Sequence, residues 1–336
     1  MSASDAQPAA ERITVERARK LAERALCASG LAEEKAAAVA DVLIEAELAG
    51  RSGHGLIRVP GLCGSVGKEA RGEPEVVREG LGHAVIDAKG ETGYLTASMA
   101  IDLACDKAGE AGIAAVGVKD TTHAGFMGYY ARRASARGMI GAVCAETFPR
   151  IAPTGSTEAL LGTNPLAVAI PAEPHDIVVD LSTASVTNGA LMLMKTLGVG
   201  LPPGLAFDAD GKETADAAAA LAGAVVPFGG PKGYCIALVV QILSSALVGM
   251  EVIPERGGAY GMLAAAVAPE MFTTADEFAA AMSELRRRVK ALRTEDGEAE
   301  VLLPGERAWL GRAERLEAGF DVAAGLLEKL EGLAGG

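Results

Sequence analysis

The 336-residue chain has few of the residues and motifs that announce a reaction. Histidine occurs four times, as His54, His83, His123 and His175, and no two stand at the spacing of metal ligands, so no metal is expected. There is no Walker loop, nucleophile elbow or His-Glu-x-x-His helix. A Gly-x-Gly-x-x-Gly turn between strand and helix is missing too. Its nearest approach, Gly198-Val199-Gly200 with Gly204 beyond Pro202 and Pro203, follows no strand pattern. The five cysteines, Cys27, Cys63, Cys105, Cys144 and Cys235, are odd in number and far apart, which fits neither a disulfide framework nor a paired metal site and suits a reducing cytoplasm. Basic residues are in deficit: 31 Lys and Arg against 44 Asp and Glu leave a net charge of -13, which disfavours nucleic acid as a partner. The first twenty residues carry Asp5, Glu11, Arg12, Glu16 and Arg17 without an apolar stretch, so no secretory leader is expected. Residues 233–250 lack charge, but Gln241, Ser244 and Ser245 interrupt them and Lys232 and Glu251 bound them. They are expected to form a buried core helix of an α/β protein, with no membrane involved.

What is present describes a folded α/β chain. Half the residues are hydrophobic and 22% are charged, and 42 glycines in 336 residues exceed the average of about 7%, implying many tight turns. The length suits one large or two intertwined domains. Val15, Ala18, Leu21, Ala22, Ala25 and Leu26 recur at helical spacing, Ser29-Gly30 supplies a stop, and Val39, Val42, Leu43 and Ala46 continue in a second helix. After a Pro- and Gly-rich stretch at 60–74, strands are expected at 84–87, 114–118 and 140–145, with helices over 95–108 and 126–137. Strands at 166–171 and 177–181, joined by a turn at 173–176, read as an antiparallel hairpin. Residues 198–223 are weakly patterned. Beyond the apolar helix come an apolar segment at 262–267 and helices over 276–292 and 313–330, while the mixed charges of 286–300 read as a solvated helix end and loop.

Two histidines stand in unusual company. In Ser52-Gly53-His54-Gly55 the imidazole is four residues before Arg58, a pairing suited to an anionic carbonyl substrate. His123, in Thr121-Thr122-His123-Ala124-Gly125, ends a strand and begins a helix, where ligand-holding loops commonly lie. Each serves equally well as a structural hydrogen-bonding group, and His83 and His175 read as solvated. Three Gly-rich pieces, Leu161-Gly162-Thr163-Asn164-Pro165, Gly229-Gly230-Pro231-Lys232-Gly233 and Leu303-Pro304-Gly305-Glu306-Arg307, combine close backbone approach with polar or basic groups, although each also suits a plain turn or helix cap.

Taken in order, these blocks resemble the malate/L-lactate dehydrogenase family of the non-Rossmann type. That family includes ureidoglycolate and sulfolactate dehydrogenases, diketogulonate reductase and reductases of cyclic imino acids such as piperideine-2-carboxylate. The matching blocks also include His123-Ala124-Gly125-Phe126-Met127-Gly128-Tyr129-Tyr130, Val179-Asp180-Leu181-Ser182-Thr183 and Ala268-Pro269-Glu270-Met271-Phe272, so the resemblance covers essentially the whole chain. It implies a mixed α/β fold in a homodimer. A helical region 1–75 would pack with C-terminal helices 275–336, followed by an α/β core segment at 76–120 and a largely antiparallel nucleotide-binding domain at 121–274. NAD(H) or NADP(H) would be held by Thr147, Asp180, Leu181, Ser182, Thr183, Lys232, Gly233, Gly305, Glu306 and Arg307. Arg58 would grip the substrate carboxylate, with Ser52 and Thr163 also on the substrate side. Either His54 or His123 would carry the proton, supported by Asp180.

The implied reaction is hydride transfer to a small 2-oxo acid or cyclic 2-imino acid, or its reverse; the alternative is a non-redox enzyme or binding protein on the same scaffold. The planar guanidinium fork suits a carboxylate, and imidazole titrates near neutrality. Departures from the family pattern bear on cofactor and substrate. Gly53 stands where Ser is usual, Ala124 where an aromatic residue is common, Glu146 where Asn is frequent, Ala190 where Lys is usual and Ala268 in place of a frequent Asp. A carboxylate gained at 146 and a cation lost at 190 would weaken nucleotide binding if both faced it.

Overall fold

A computed structural model describes residues 10–65, 70–255, 258–294, 297 and 300–335 and divides the chain into two units, Met1–Ala70 with Glu306–Gly336, and Arg71–Gly305. The chain opens with β1 (Ala10–Ile13), α1 (Val15–Ala28) and α2 (Glu33–Leu48). Thr14 caps α1 by accepting from Arg17 N, and the expected apolar stripe is its buried face: Ala18, Ala22, Ala25 and Leu26. In α2 the same holds for Val39, Val42, Leu43 and Ala46. Two 3-10 turns, Ser52–His54 and Leu56–Arg58, lead into α3 (Val59–Ser65), so the start of the Pro- and Gly-rich stretch is helical. Positions 66–69 of that stretch lie outside the described residues.

The second unit runs through β2 (Glu75–Gly80), β3 (His83–Asp87), α4 (Gly93–Ala111), β4 (Ile113–Thr121), α5 (Met127–Ser135) and β5 (Ile140–Ala145). The expected hairpin follows as β6 (Leu166–Ile170) and β7 (Ile177–Leu181), paired antiparallel with Leu166 opposite Leu181. The weakly patterned region holds α6 (Asn188–Leu197), β8 (Ala206–Phe207) and α7 (Ala217–Ala222), and Gly198 ends α6 in a left-handed cap rather than opening a phosphate loop. Then come β9 (Ala224–Val225), α8 (Pro231–Ser244), β10 (Tyr260–Val267) and α9 (Ala275–Lys290).

Seven strands form one mixed sheet in the order β2-β3-β4-β10-β5-β6-β7, drawing on both the 76–120 and the 121–274 segments. Only β3 and β4 pair in parallel. The two faces of the sheet are covered separately. Gly117, opposite Leu263, would drive a Cβ into Val248, just beyond α8, whereas Gly141, opposite Ala266, would drive one into Ala131 and Ala134 of α5. Leu263 and Ala266 differ in parity along β10, so α5 and the end of the α8 segment lie on opposite sides.

The C-terminal part of the first unit is α10 (Glu306–Ala318), β11 (Phe320–Ala323) and α11 (Ala324–Leu333). The single helix expected over 313–330 is therefore broken. Gly319 takes φ 75 and comes so close to Ile13 that a Cβ would sit 2.2 Å from its carbonyl oxygen, and β11 then pairs antiparallel with β1. Arg12 bonds Asp321 through two nitrogens, and Arg312 bonds Glu45 of α2 in the same way.

The apolar helix is the other correction. α8 buries Gly233, Ala237, Val240, Gln241 and Ser244, but Val239 is 54% and Ile242 48% exposed, so one face is core and the other uncovered. By length and composition, residues Pro231–Val248 are apolar enough to cross a membrane, and 39% of them are buried, so the expected fully buried core helix is buried on one face only. All five cysteines are free thiols. His83 is exposed and His175 half-buried; α9 is ion-paired along its surface through Glu284 with Arg287 and Arg288, and 295, 296, 298 and 299 of the following loop lie outside the described residues.

Candidate active site

In the first unit the turn that carries His54 and Arg58 is built on one buried carboxylate. Glu47, on the buried side of α2, accepts from Leu56 N (2.8 Å) and from the Ser52 side chain. Burial raises its pKa, while these bonds and the Arg315 charge act the other way. The approach is so close that a Cβ on Gly55 would lie 2.2 Å from Glu47 Oε1, which explains glycine there. Arg58 Nε donates to Gly53 O (2.7 Å), folding the guanidinium back over the turn. Burial first, then the charges of Arg58 and Arg51, push the His54 pKa down to about 4. His54 is neutral at pH 7.

In the second unit His123 lies between β4 and α5, its ring edge-on to Tyr94 at 6.1 Å. The loop is clamped. Tyr130 Oη donates to Ala124 O (2.6 Å), and Gly93 is so close that a Cβ would lie 2.3 Å from Thr122 O. Gly125, at φ 72, passes Tyr94 where no side chain would fit. Asp180, on β7, accepts from Gly128 N (2.9 Å) in the first turn of α5, a favourable place for a carboxylate. Asp180 thus fixes the helix that the His123 loop enters.

Behind β7 the sequence blocks converge into a cluster of hydroxyls. Thr163 N donates to Thr147 Oγ1 (2.9 Å), and the Thr163 carbonyl accepts from Thr183 N (2.9 Å), Thr183 Oγ1 (2.9 Å) and Ser182 Oγ (3.2 Å). Thr183 O accepts from Phe228 N (3.0 Å), which ties the cluster to the 229–233 loop. There Gly229 and Gly230 both take positive φ, and a Cβ on either would meet nothing within 4 Å. The loop opens at the start of α8, with Lys232 exposed in its first turn and Gly233 packed on Phe228. An open glycine cradle, a helix N-terminus and a lysine fit the phosphates of a dinucleotide. Ser185 Oγ and Asn188 Oδ1, buried and without a partner among the described residues, leave further polar capacity beside α6. Gly305 packs on Val178 in the second unit, while Glu306 and Arg307 open α10 in the first.

The departures resolve differently from one another. Glu146 does not face a ligand: it is 1% exposed and turned inward, accepting from Gly261 N (2.9 Å) and Gln241 Nε2 (2.6 Å), and burial pushes its pKa up to about 8. Ala190 lies in the first turn of α6, its N donating to Thr187 Oγ1. Ala124 is buried, and Ala268 N donates to Gly112 O. The Ser52 hydroxyl is engaged by Glu47. At Gly53 a Cβ would meet nothing within 4 Å and no positive φ is required, so Gly53→Ser is expected to change stability by less than about 0.5 kcal/mol. Urea unfolding checks this.

Sequence reasoning assigned no role to Glu47, Gln241 or Asn164. Glu47 and Gln241 did leave a signal, each being a polar residue within an apolar run.

Comparison with known proteins places the chain in a family. The family model for malate/L-lactate dehydrogenase matches residues 13–331. The solved sulfolactate dehydrogenase of Methanocaldococcus jannaschii is 33% identical, with 97% of each chain covered and a TM-score of 0.86. The ureidoglycolate dehydrogenase (NAD(+)) of Escherichia coli K12 is 29% identical over 95% of each chain. The solved delta1-piperideine-2-carboxylate reductase of Pseudomonas syringae is 25% identical, covering 96% of this chain and 99% of that one, with a TM-score of 0.86. A family match over nearly the full length, joined to a shared mixed α/β fold, decides the matter: the chain belongs to the malate/L-lactate dehydrogenase family, and its chemistry is that of a dehydrogenase.

Proposed function

We propose that this chain is a homodimeric oxidoreductase that interconverts a small 2-hydroxy acid and its 2-oxo acid, or a cyclic amino acid and its imine, with NAD(H) or NADP(H). The observation that carries the reading is the pair of consecutive 3-10 turns that holds His54 and Arg58, in which Arg58 Nε is bonded to the carbonyl of Gly53, the residue before the histidine, and the imidazole is kept neutral. A guanidinium and an imidazole so held can grip a carboxylate and exchange a proton with the neighbouring oxygen or nitrogen.

When bound, the nicotinamide ring supplies or takes up the hydride. The chain's own residues do the rest. Arg58 binds the carboxylate through its planar fork, which fixes the reacting carbon relative to the imidazole. In oxidation, His54 Nδ1 or Nε2, neutral above about pH 4, accepts the proton leaving the hydroxyl; in reduction the same ring returns it. His123 is the second candidate for that proton, in a loop held by Tyr130 and by the Asp180 anchor on α5. Lys232, Gly233 and the 229–230 turn would hold the phosphates. Thr147, Asp180, Leu181, Ser182 and Thr183 would line the dinucleotide, with Gly305, Glu306 and Arg307 beside it; Ser52 and Thr163 would stand on the substrate side.

The test is fluorescence titration with NADH and NADPH, followed by cofactor turnover with L-malate, L-sulfolactate, pyruvate, pyruvate plus methylamine, and piperideine-2-carboxylate. Binding of one reduced cofactor and turnover of at least one acid are expected. Turnover with pyruvate only when amine is present would assign imine reduction. No binding of either cofactor at millimolar concentration would overturn the reading and leave a non-redox role.

The uncovered face of α8 supports the dimer. Leu238, Val239 and Ile242 together expose the kind of apolar surface that a second copy buries. Val239→Asp is therefore expected to shift sedimentation from the mass of two chains toward that of one. Unchanged sedimentation would put the dimer contact elsewhere.

A further inference from the structure

The hydroxyl cluster is held from behind by a line of buried side chains that the proposed mechanism does not use. Gly261 N, on β10, donates to Glu146 Oε1 (2.9 Å); Gln241 Nε2, on α8, donates to Glu146 Oε2 (2.6 Å); Asn164 Nδ2 donates to Gln241 Oε1 (2.8 Å). All three side chains are buried. Both amides are oriented by carbonyls outside the trio, because Gln241 Nε2 also donates to Val252 O (2.7 Å) and Asn164 Nδ2 to Ala237 O (2.9 Å). Turning either amide over would set oxygen against oxygen. Glu146 therefore meets a donor at each oxygen.

The line ends where backbone shape is least tolerant. Asn164 has φ 34, a left-handed conformation that few residues with a side chain adopt. Its neighbour Thr163 bonds to Thr147, Ser182 and Thr183, and Gly162 is so close to Thr147 that a Cβ would lie 2.3 Å from its carbonyl oxygen. A shift of Asn164 is thus transmitted to every hydroxyl of the cluster.

We propose that Glu146 and Gln241 are positioning residues: acting through Asn164, they fix the backbone of 162–164 and so the aim of the Thr147, Ser182 and Thr183 hydroxyls at the bound dinucleotide. This rests on the reading that the cluster faces the cofactor. On that reading the phosphates rest on the cradle at 229–233, which joins the cluster only through the Phe228 to Thr183 backbone bond among the bonds named, so the relay governs alignment more than affinity.

The test uses Glu146→Gln, which sets an amide donor against Gly261 N or Gln241 Nε2, and Gln241→Leu, which removes the middle link at similar volume. In the unliganded chain, amide hydrogen exchange over 160–166 is expected to quicken at least tenfold in both variants, with the sheet strands β4 and β10 exchanging as in the wild type. With the reduced cofactor that binds, NADH or NADPH, the dissociation constant is expected to stay within threefold. With its oxidised form and the better of L-malate and L-sulfolactate, kcat is expected to fall about tenfold. Unchanged exchange over 160–166 in both variants overturns the relay whatever the chain binds. Loss of affinity in parallel with kcat, or faster exchange throughout the sheet, overturns the positioning role in favour of plain structural support. A wild-type chain that binds neither NADH nor NADPH sinks the cofactor reading instead, and the exchange result still decides whether Glu146 holds the 162–164 backbone.

Discussion

Replacing His54 by alanine is expected to lower turnover at least about a hundredfold, the lower range for losing a positioned acid-base group. The pH profile separates this from mere damage. In the free chain, burial and the Arg58 and Arg51 charges hold the imidazole pKa down to about 4. For hydroxy acid oxidation the ring must be unprotonated, so kcat/KM is expected to rise through about pH 4 and then stay level toward neutrality. A bound carboxylate offsets the Arg58 charge and favours the protonated ring. The acid limb of kcat, which reports the complex, is therefore expected to lie at higher pH than that of kcat/KM. That upward displacement also makes the ring a better base at neutral pH than its free value suggests. His123→Ala, measured alongside, assigns the role. A full loss in His123→Ala with activity retained in His54→Ala moves the proton to the second unit, and full activity in both variants would sink the mechanism.

The elements legible in the sequence were those whose apolar spacing matched a single period. α1 and α2 announced themselves in this way and the β6–β7 hairpin through two short strand-like runs about a turn, whereas β10 was visible only as a short apolar segment. β1 and β11 did not. Each is only four residues long, β11 alternating in exposure and β1 burying Ile13 alone, and each becomes a strand only by pairing with a partner about 300 residues away. The break at Gly319 was hidden for the same reason, since its cause is the nearness of Ile13. At the site, the spacing of His54 and Arg58 was readable from the residues, whereas the threonines and serine that meet around the Thr163 carbonyl were named only by the family resemblance. The direction of a side chain was not. Glu146 could be recognised as unusual through the family resemblance, standing where Asn is frequent, but whether it turned toward a ligand or into the core depended on Gly261 and Gln241, 115 and 95 residues away.

That inward turn has a thermodynamic consequence that can be measured without any ligand: between about pH 6.5 and 8 the chain is expected to lose roughly 2 kcal/mol of stability. Glu146 has a pKa of about 8 when folded against 4.5 for the ordinary group, so across that interval the folded state holds the proton that the unfolded state has released. Stability then falls by about 1.4 kcal/mol per pH unit, is fully present below 4.5 and is exhausted above 8. His54 acts in the opposite sense. Its pKa is about 4 when folded against 6.5 otherwise, so its contribution rises with pH from 4 to 6.5 and is level beyond. From 4.5 to 6.5 these two slopes oppose one another, while Glu47, whose pKa burial also raises, adds a decline that begins at 4.5; above 6.5 the His54 contribution is level and no longer offsets Glu146. Urea unfolding at half-unit pH steps should show a shallow course followed by a steeper fall. Glu146→Gln is expected to flatten the curve from 6.5 to 8, even though its amide leaves one donor facing another and lowers stability throughout. His54→Ala should instead steepen the decline from 4.5, because nothing then offsets Glu146. A wild type and a Glu146→Gln variant with the same slope above pH 6.5 would mean that the carboxylate at 146 is already ionised at neutrality, its two donors outweighing burial.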